Sequence, residues 1–93
     1  MPSASARHIL VDDQKTCESL KSRIETGEDF AAVARKHSTC PSGREGGDLG
    51  TFRRGEMVPE FDTVVFGGEV GKVHGPVKTQ FGYHLIEITS RKD

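Results

Sequence analysis

Apolar and polar positions follow two periods along this chain, and the change from one to the other marks its elements. Around Ala6 to Val11 the period is two: His8 and Leu10 face one way, Ile9 and Val11 the other, which predicts a short strand. Apolar residues on both faces imply a central strand covered on both sides. At Asp12 the period lengthens. Asp12 and Asp13 supply a helix N-cap, Cys17, Leu20 and Ile24 follow at helical spacing, and Gly27 suits the stop. That spacing makes Cys17 a small core thiol. A second helix starting at Glu28 or Asp29 carries Phe30, Val33, Ala34 and His37 on one face.

From Thr39 to Gly47 the pattern turns irregular, with Pro41, Gly43, Gly46 and Gly47, and a brief strand is expected from Leu49 to Phe52. Pro59 opens a third, short helix whose apolar face uses Val58, Phe61, Val64 and Val65, and Gly67 and Gly68 end it. Turn chemistry fills Gly71 to Gly75, Pro76 and Val77 join a short edge strand, and Thr79 to Gly82 makes a tight turn. Tyr83 to Thr89 is the clearest strand, with His84, Ile86 and Ile88 on one face. The order predicts an α+β domain with a small antiparallel sheet, one domain over residues 1–93 without linker or repeat.

Composition narrows the function. The chain has 93 residues, 33% hydrophobic and 29% charged, which suits an ordinary soluble globular domain. Thirteen basic and fourteen acidic residues nearly cancel, so neither nucleic acid nor a membrane is expected as a partner. No apolar stretch approaches the length of a membrane span. Met1-Pro2-Ser3-Ala4 lacks the basic and apolar regions of a secretory leader, so a cytoplasmic location is expected. The two cysteines, Cys17 and Cys40, read as thiols of a reducing compartment.

Candidate chemistry centres on Cys40 and two of the four histidines. His8 and His84 lie on two strands, and on neighbouring strands their imidazoles can hydrogen-bond across the ladder. His37 and His74 read as ordinary surface or core groups. No C-x₂-C or H-x₃-H spacing is present, so no metal is expected. Neither G-x-G-x-x-G nor G-x-x-x-x-G-K occurs, so no nucleotide cofactor is expected. A thiol nucleophile with a His base is chemically reasonable, although the chain contains no Asn to orient the base. A non-covalent polar patch tuned by Cys40 is the other reading. Met57 and Phe61, four apart at the start of the third helix, can join Leu49 and Phe81 in an apolar cup.

Five short motifs then occur in register: His8-Ile9-Leu10-Val11; Cys40-Pro41-Ser42-Gly43 leading to Gly46-Gly47-Asp48-Leu49-Gly50; Arg54-Gly55-Glu56-Met57-Val58-Pro59-Glu60-Phe61; Gly75-Pro76-Val77; and Thr79-Gln80-Phe81-Gly82-Tyr83-His84. With them the chain resembles, end to end, the parvulin family of peptidyl-prolyl cis/trans isomerases, most closely its small free-standing bacterial members. The resemblance implies a four-stranded antiparallel sheet surrounded by three to four short helices, with the site on one sheet face. It implies catalytic roles for His8, Cys40, Thr79 and His84. It implies a proline pocket of Leu49, Met57, Phe61 and Phe81, with Phe52 as a wall and Gln80 as a substrate contact. Phosphate-directed members carry a basic cluster after the first strand; here that segment reads Asp12-Asp13-Gln14-Lys15, which would repel a phosphate.

The activity so implied is acceleration of Xaa-Pro rotation in unfolded or partly folded polypeptides, by a monomer with no cofactor. Amide resonance sets the barrier at about 18–20 kcal/mol, so stabilising the twisted amide by a few kcal/mol is enough and no bond need break. The competing expectations are a proline-peptide binding or holdase module without turnover, and a thiol enzyme.

Overall fold

The computed structural model describes residues 2–92. In chain order the elements are β1 (Ser3–Val11), α1 (Gln14–Glu25), α2 (Phe30–His37), a 3-10 turn (Pro41–Glu45), β2 (Asp48–Arg53), α3 (Pro59–Gly67), β3 (Val73–Thr79) and β4 (Gly82–Lys92). The strands form one antiparallel sheet in the order β2-β1-β4-β3, so the first and last strands are its centre.

The local signals act as expected. Asp13 caps α1 by accepting the Thr16 N–H at 2.9 Å, and Asp29 caps α2 by accepting the Ala32 N–H at 3.1 Å. Pro59 stands in the first turn of α3, and Gly68 follows its last residue. The strands run longer than the apolar pattern marks. β1 begins at Ser3 and β4 continues to Lys92 because Ser3 pairs with both Lys92 and Arg53, and polar residues complete these ladders. β3 spans Val73–Thr79 although it contains Gly75 and Pro76, which its position at the sheet edge permits. The irregular stretch after α2 contains the 3-10 turn, whose tight bonds suit a run of Pro, Ser and Gly.

The sheet separates two apolar layers. On one face Ile9, Val11 and Leu85 pack against Cys17 and Leu20 of α1 and Phe30, Val33 and Ala34 of α2. Cys17 is wholly buried, and burial pushes its thiol up to about 11, which makes it a core residue rather than a nucleophile. Arg7 pairs with Glu87 across β1 and β4 and lays its guanidinium 4.7 Å from the Phe30 ring centre. On the other face Ala4, Ala6 and Ile86 pack against Phe52 of β2 and Phe61, Val65 and Phe66 of α3. Phe66, outside the expected apolar face of this helix, is buried too and stands edge-on to Phe52.

α3 has nine residues and covers only part of that second face. Toward the end of β1 the same face carries His8 and Leu10, and β4 adds His84, which pairs with Leu10. Beyond α3 this surface is flanked by the 3-10 turn, whose Pro41 lines it. Gly47, just after the turn, approaches β1 closely: its carbonyl accepts the His8 N–H at 2.9 Å and its N–H donates to Ser42 at 2.9 Å.

A β-carbon at Gly47 would lie 2.3 Å from the His8 carbonyl oxygen, on a backbone at φ +85°. Gly47→Ala is therefore expected to lower the unfolding free energy by more than about 2 kcal/mol, combining left-handed strain with a backbone clash. Urea unfolding beside the unsubstituted protein measures it.

Candidate active site

The uncovered end of the second face is a cavity of about 420 Å³ lined by His8, Leu10, Thr39, Cys40, Pro41, Leu49, Met57, Val58, Phe61, Phe81 and His84. This size suits a small ring and its flanking peptide. Of the expected residues it unites His8, Cys40, His84, Leu49, Met57, Phe61 and Phe81. Phe81 stands at the rim with 59% of its surface exposed, uncommonly open for so large an apolar group.

Two expected pocket residues lie elsewhere. Phe52 is buried behind the cavity, 6.2 Å from the Phe61 ring and 6.2 Å from Phe66, so it supports Phe61 rather than forming a wall. Pairing with Ala4 places it under α3, where the face is closed. Gln80 is exposed in the β3–β4 turn and does not line the cavity; its neighbour Phe81 does. A second concavity of about 580 Å³ at the other end of the sheet, lined by Ser3, Thr51, Phe52, Arg53, Glu56 and Lys92, is larger. It gathers no buried titratable group, so the chemistry favours the smaller cavity.

The polar wall is one chain of hydrogen bonds. His8 Nδ1 and His84 Nδ1 are 3.0 Å apart, with the rings nearly parallel and 5.2 Å between centres. The outer nitrogens are held as well: His84 Nε2 lies 2.7 Å from Thr79 Oγ1, and His8 Nε2 lies 3.1 Å from Ser42 Oγ. Thr79 Oγ1 accepts the Phe81 N–H at 3.1 Å, and the Ser42 hydroxyl donates to Cys40 Sγ at 3.2 Å. One assignment of protons uses every donor. The Thr79 hydroxyl donates to His84 Nε2, His84 Nδ1–H donates to His8 Nδ1, and His8 Nε2–H donates to Ser42, whose hydroxyl points at the sulfur. Thr79, itself buried, does not line the cavity and meets it through its bond to His84.

Both imidazoles are neutral in this arrangement. Burial, and secondarily the neighbouring His84, lowers the His8 pKa from 6.5 to about 4. Burial lowers His84 too, with Glu60 opposing the shift. Phe61 stands edge-on to both imidazoles, 5.6 Å from His8 and 5.7 Å from His84, so a single aromatic ring joins the polar wall to the apolar cup.

Leu10, Thr39, Pro41 and Val58 were not singled out from sequence as site residues, nor was Ser42. For Leu10 the signal existed, since it alternates onto the His8 face. Ser42 offered only its place in a motif. Ser38 also sets the site, accepting the Leu10 N–H at 3.0 Å and the Cys40 N–H at 3.4 Å, while Thr39 N–H donates to the Leu10 carbonyl at 2.8 Å. The segment after α2 thereby extends the edge of β1 and fixes Cys40. His37 and His74 lie outside the cavity. His74 Nε2–H donates to the Glu69 carbonyl at 2.9 Å, whereas His37 Nε2 is buried with no hydrogen-bond partner among the described residues. Among the described residues no three His, Cys, Asp or Glu side chains gather as metal ligands.

The lowered histidine pKa values predict acid sensitivity. Between pH 6.5 and about 4 the unfolded chain protonates a histidine that the folded chain keeps neutral. The stability contributed by a neutral His8 is therefore full above pH 6.5 and is lost as pH falls toward 4, by about 3 kcal/mol. Thermal midpoints measured across that window should fall, and His8→Gln should flatten the slope.

Comparison with known proteins places this geometry. The profile of the rotamase family, the PPIC-type PPIase domain, matches residues 7–90. The foldase protein PrsA of Geobacillus sp. (strain WCH70) is 46% identical over 93 residues, covering 99% of this chain and 34% of that protein. The chain spans about a third of the length of such curated relatives, 27% for the PrsA of Halalkalibacterium halodurans. Among solved structures, the peptidylprolyl isomerase PrsA from Bacillus anthracis superposes with a TM-score of 0.95 at 39% identity, over 99% of this chain and 43% of that one. NmPin, the parvulin of Nitrosopumilus maritimus, gives 0.87 at 33% identity over 97% of this chain and 98% of its own. The apolar cup with its paired neutral histidines therefore stands in a fold shared with these proteins, and the chain belongs to the rotamase family as a PPIC-type, or parvulin, peptidyl-prolyl cis/trans isomerase domain.

Proposed function

We propose that this domain accelerates rotation about Xaa-Pro bonds without forming a covalent bond to its substrate, and without requiring a phosphate beside the proline. The observation that carries the reading is the composition of the cavity: none of its eleven lining residues bears a formal charge once both histidines are neutral. Such a site suits a neutral amide whose resonance is lost as it twists. Met57, Val58, Phe61 and Leu49 hold the proline ring away from water while the carbonyl side turns. His8, His84 and Cys40 form the fixed polar wall beside it, and a wall already bonded needs no reorganisation as the carbonyl dipole swings.

Cys40 suits a polar role better than a nucleophilic one. Ser42 donates a hydrogen bond to its sulfur, and His8 donates to Ser42 in turn, so the chain runs toward the thiol and presents it with donors rather than an acceptor. Among the described residues no base is placed to take its proton. Against a phosphate requirement, Arg54 stacks 4.8 Å from the Phe66 ring centre and Arg53 lines the other concavity. Asp13 caps α1, and Asp12 beside it is exposed. The proposed substrates are proline-containing polypeptides that are unfolded or partly folded, in keeping with the foldase name of the longer relatives. The unpaired thiols Cys17 and Cys40 support a reducing, cytoplasmic setting.

Exchange spectroscopy on an Ala-Pro peptide tests the activity. Enhanced cis–trans exchange is expected; binding without exchange would leave a holdase. Cys40→Ser is expected to keep kcat/KM within about tenfold, since loss of an obligate nucleophile lowers kcat by several orders of magnitude. A phosphoserine before the proline is expected to give kcat/KM no higher than alanine there, measured in the same assay.

A further inference from the structure

One wall of the apolar cup is formed by a loop. Met57 and Val58 belong to the connection 54–58 between β2 and α3, and both line the cavity. A connection of this kind is free to flex unless its backbone groups are held. Its own backbone bond is long, from Glu56 N–H to the Arg53 carbonyl at 3.3 Å, and Gly55 sits at φ +88°. Two carboxylates supply what the backbone lacks. Glu56 accepts the Arg53 N–H within the turn, and Asp62 reaches back from α3 to accept the Gly55 N–H at 3.1 Å.

Asp62 is placed to do more than end a turn. Its backbone N–H donates to the Val58 carbonyl at 3.0 Å while its side chain holds Gly55, so this one residue grips the connection on both sides of Met57. It follows Phe61 in α3, and Phe61 is the ring that touches both imidazoles. The same short stretch of helix therefore carries one cup residue and fixes the position of another.

We propose that Asp62 is a positioning residue for proline binding, holding the 54–58 connection in the arc that sets Met57 against the substrate ring; this rests on the isomerase reading above. The charge of Asp62 also favours the first turn of α3, as any acid there would. Two substitutions separate the roles. Asp62→Asn keeps an acceptor oxygen for Gly55 and loses the charge, whereas Asp62→Ala loses both.

The experiment measures kcat and KM for an Ala-Pro peptide by exchange spectroscopy, the peptide Kd by titration, and the thermal midpoint, for the unsubstituted protein and both variants. Asp62→Ala is expected to raise KM and Kd by about two- to tenfold, the range of one intramolecular hydrogen bond. Its kcat should stay within twofold, because the polar wall stands on other elements. Asp62→Asn is expected to restore KM and Kd even where its thermal midpoint stays low. A destabilised enzyme loses active molecules, which lowers apparent kcat and leaves KM unmoved. That pattern in Asp62→Ala, or failure of Asn to rescue, would overturn the proposal. An unsubstituted protein that binds without turnover would refute the isomerase reading, and the Kd values would then decide the role of Asp62.

Discussion

The proton between His8 and His84 constrains everything around it. Two imidazole Nδ1 atoms 3.0 Å apart can bond only while one of them is bare, so at least one ring of the pair must stay neutral. Burial keeps both rings neutral into the acid range, and the sheet provides it from below and Phe61 from the side. Burial in turn obliges the outer nitrogens to find partners, since an orphaned polar atom costs about 1–3 kcal/mol. Thr79 answers at one end and Ser42 at the other. Ser42 can answer only because the 3-10 turn lies against β1, and that approach needs a glycine at 47. The position of Cys40 is thus the last step of a sequence of requirements beginning on the sheet.

The cavity arises because one helix is short. Residues of β1 and β4 facing the same side of the sheet become core where α3 covers them and become a site where it does not. Ala4, Ala6 and Ile86 fall under the helix, while His8, Leu10 and His84 fall beyond its N-terminal turn. Phe61 occupies the boundary and serves both sides. It packs on Phe52 in the closed part and meets both imidazoles in the open part. Core packing and the cavity wall therefore meet in one ring, so a change at Phe61 disturbs both.

Much of this was legible before the structure, for physical reasons. The period-two pattern put His8 and Leu10 on one face and His84 on a partner strand, and caps and stops bounded the helices. Met57 and Phe61 were readable from their spacing at a helix start, and the family motifs assembled the rest. What escaped was whatever lacks a period. Phe52 alternates correctly onto the second face, yet alternation says which face and not whether a helix lies above it. Gln80 and Phe81 are neighbours in one tight turn, and pattern alone does not decide which turns inward. Ser38, Ser42 and Asp62 act through one or two side-chain hydrogen bonds each, and such bonds have no sequence rhythm. The edge strand was expected at Pro76 and Val77, but its start at Val73 hid behind Gly75, since Gly and Pro argue against a strand except at an open edge.

The central position of β4 has a consequence for how the catalyst comes into being during synthesis. Domains made from the N-terminus can gather structure early, and helices α1 to α3 all precede β4. Yet β1 finds its long partner only in β4, and His8 finds its own only in His84. Until β4 is in place, β1 has no central neighbour and the first imidazole has no bonded mate. A chain without β4 therefore lacks half of the histidine pair and the central partner of β1. The site is complete only when β4 lies between β1 and β3.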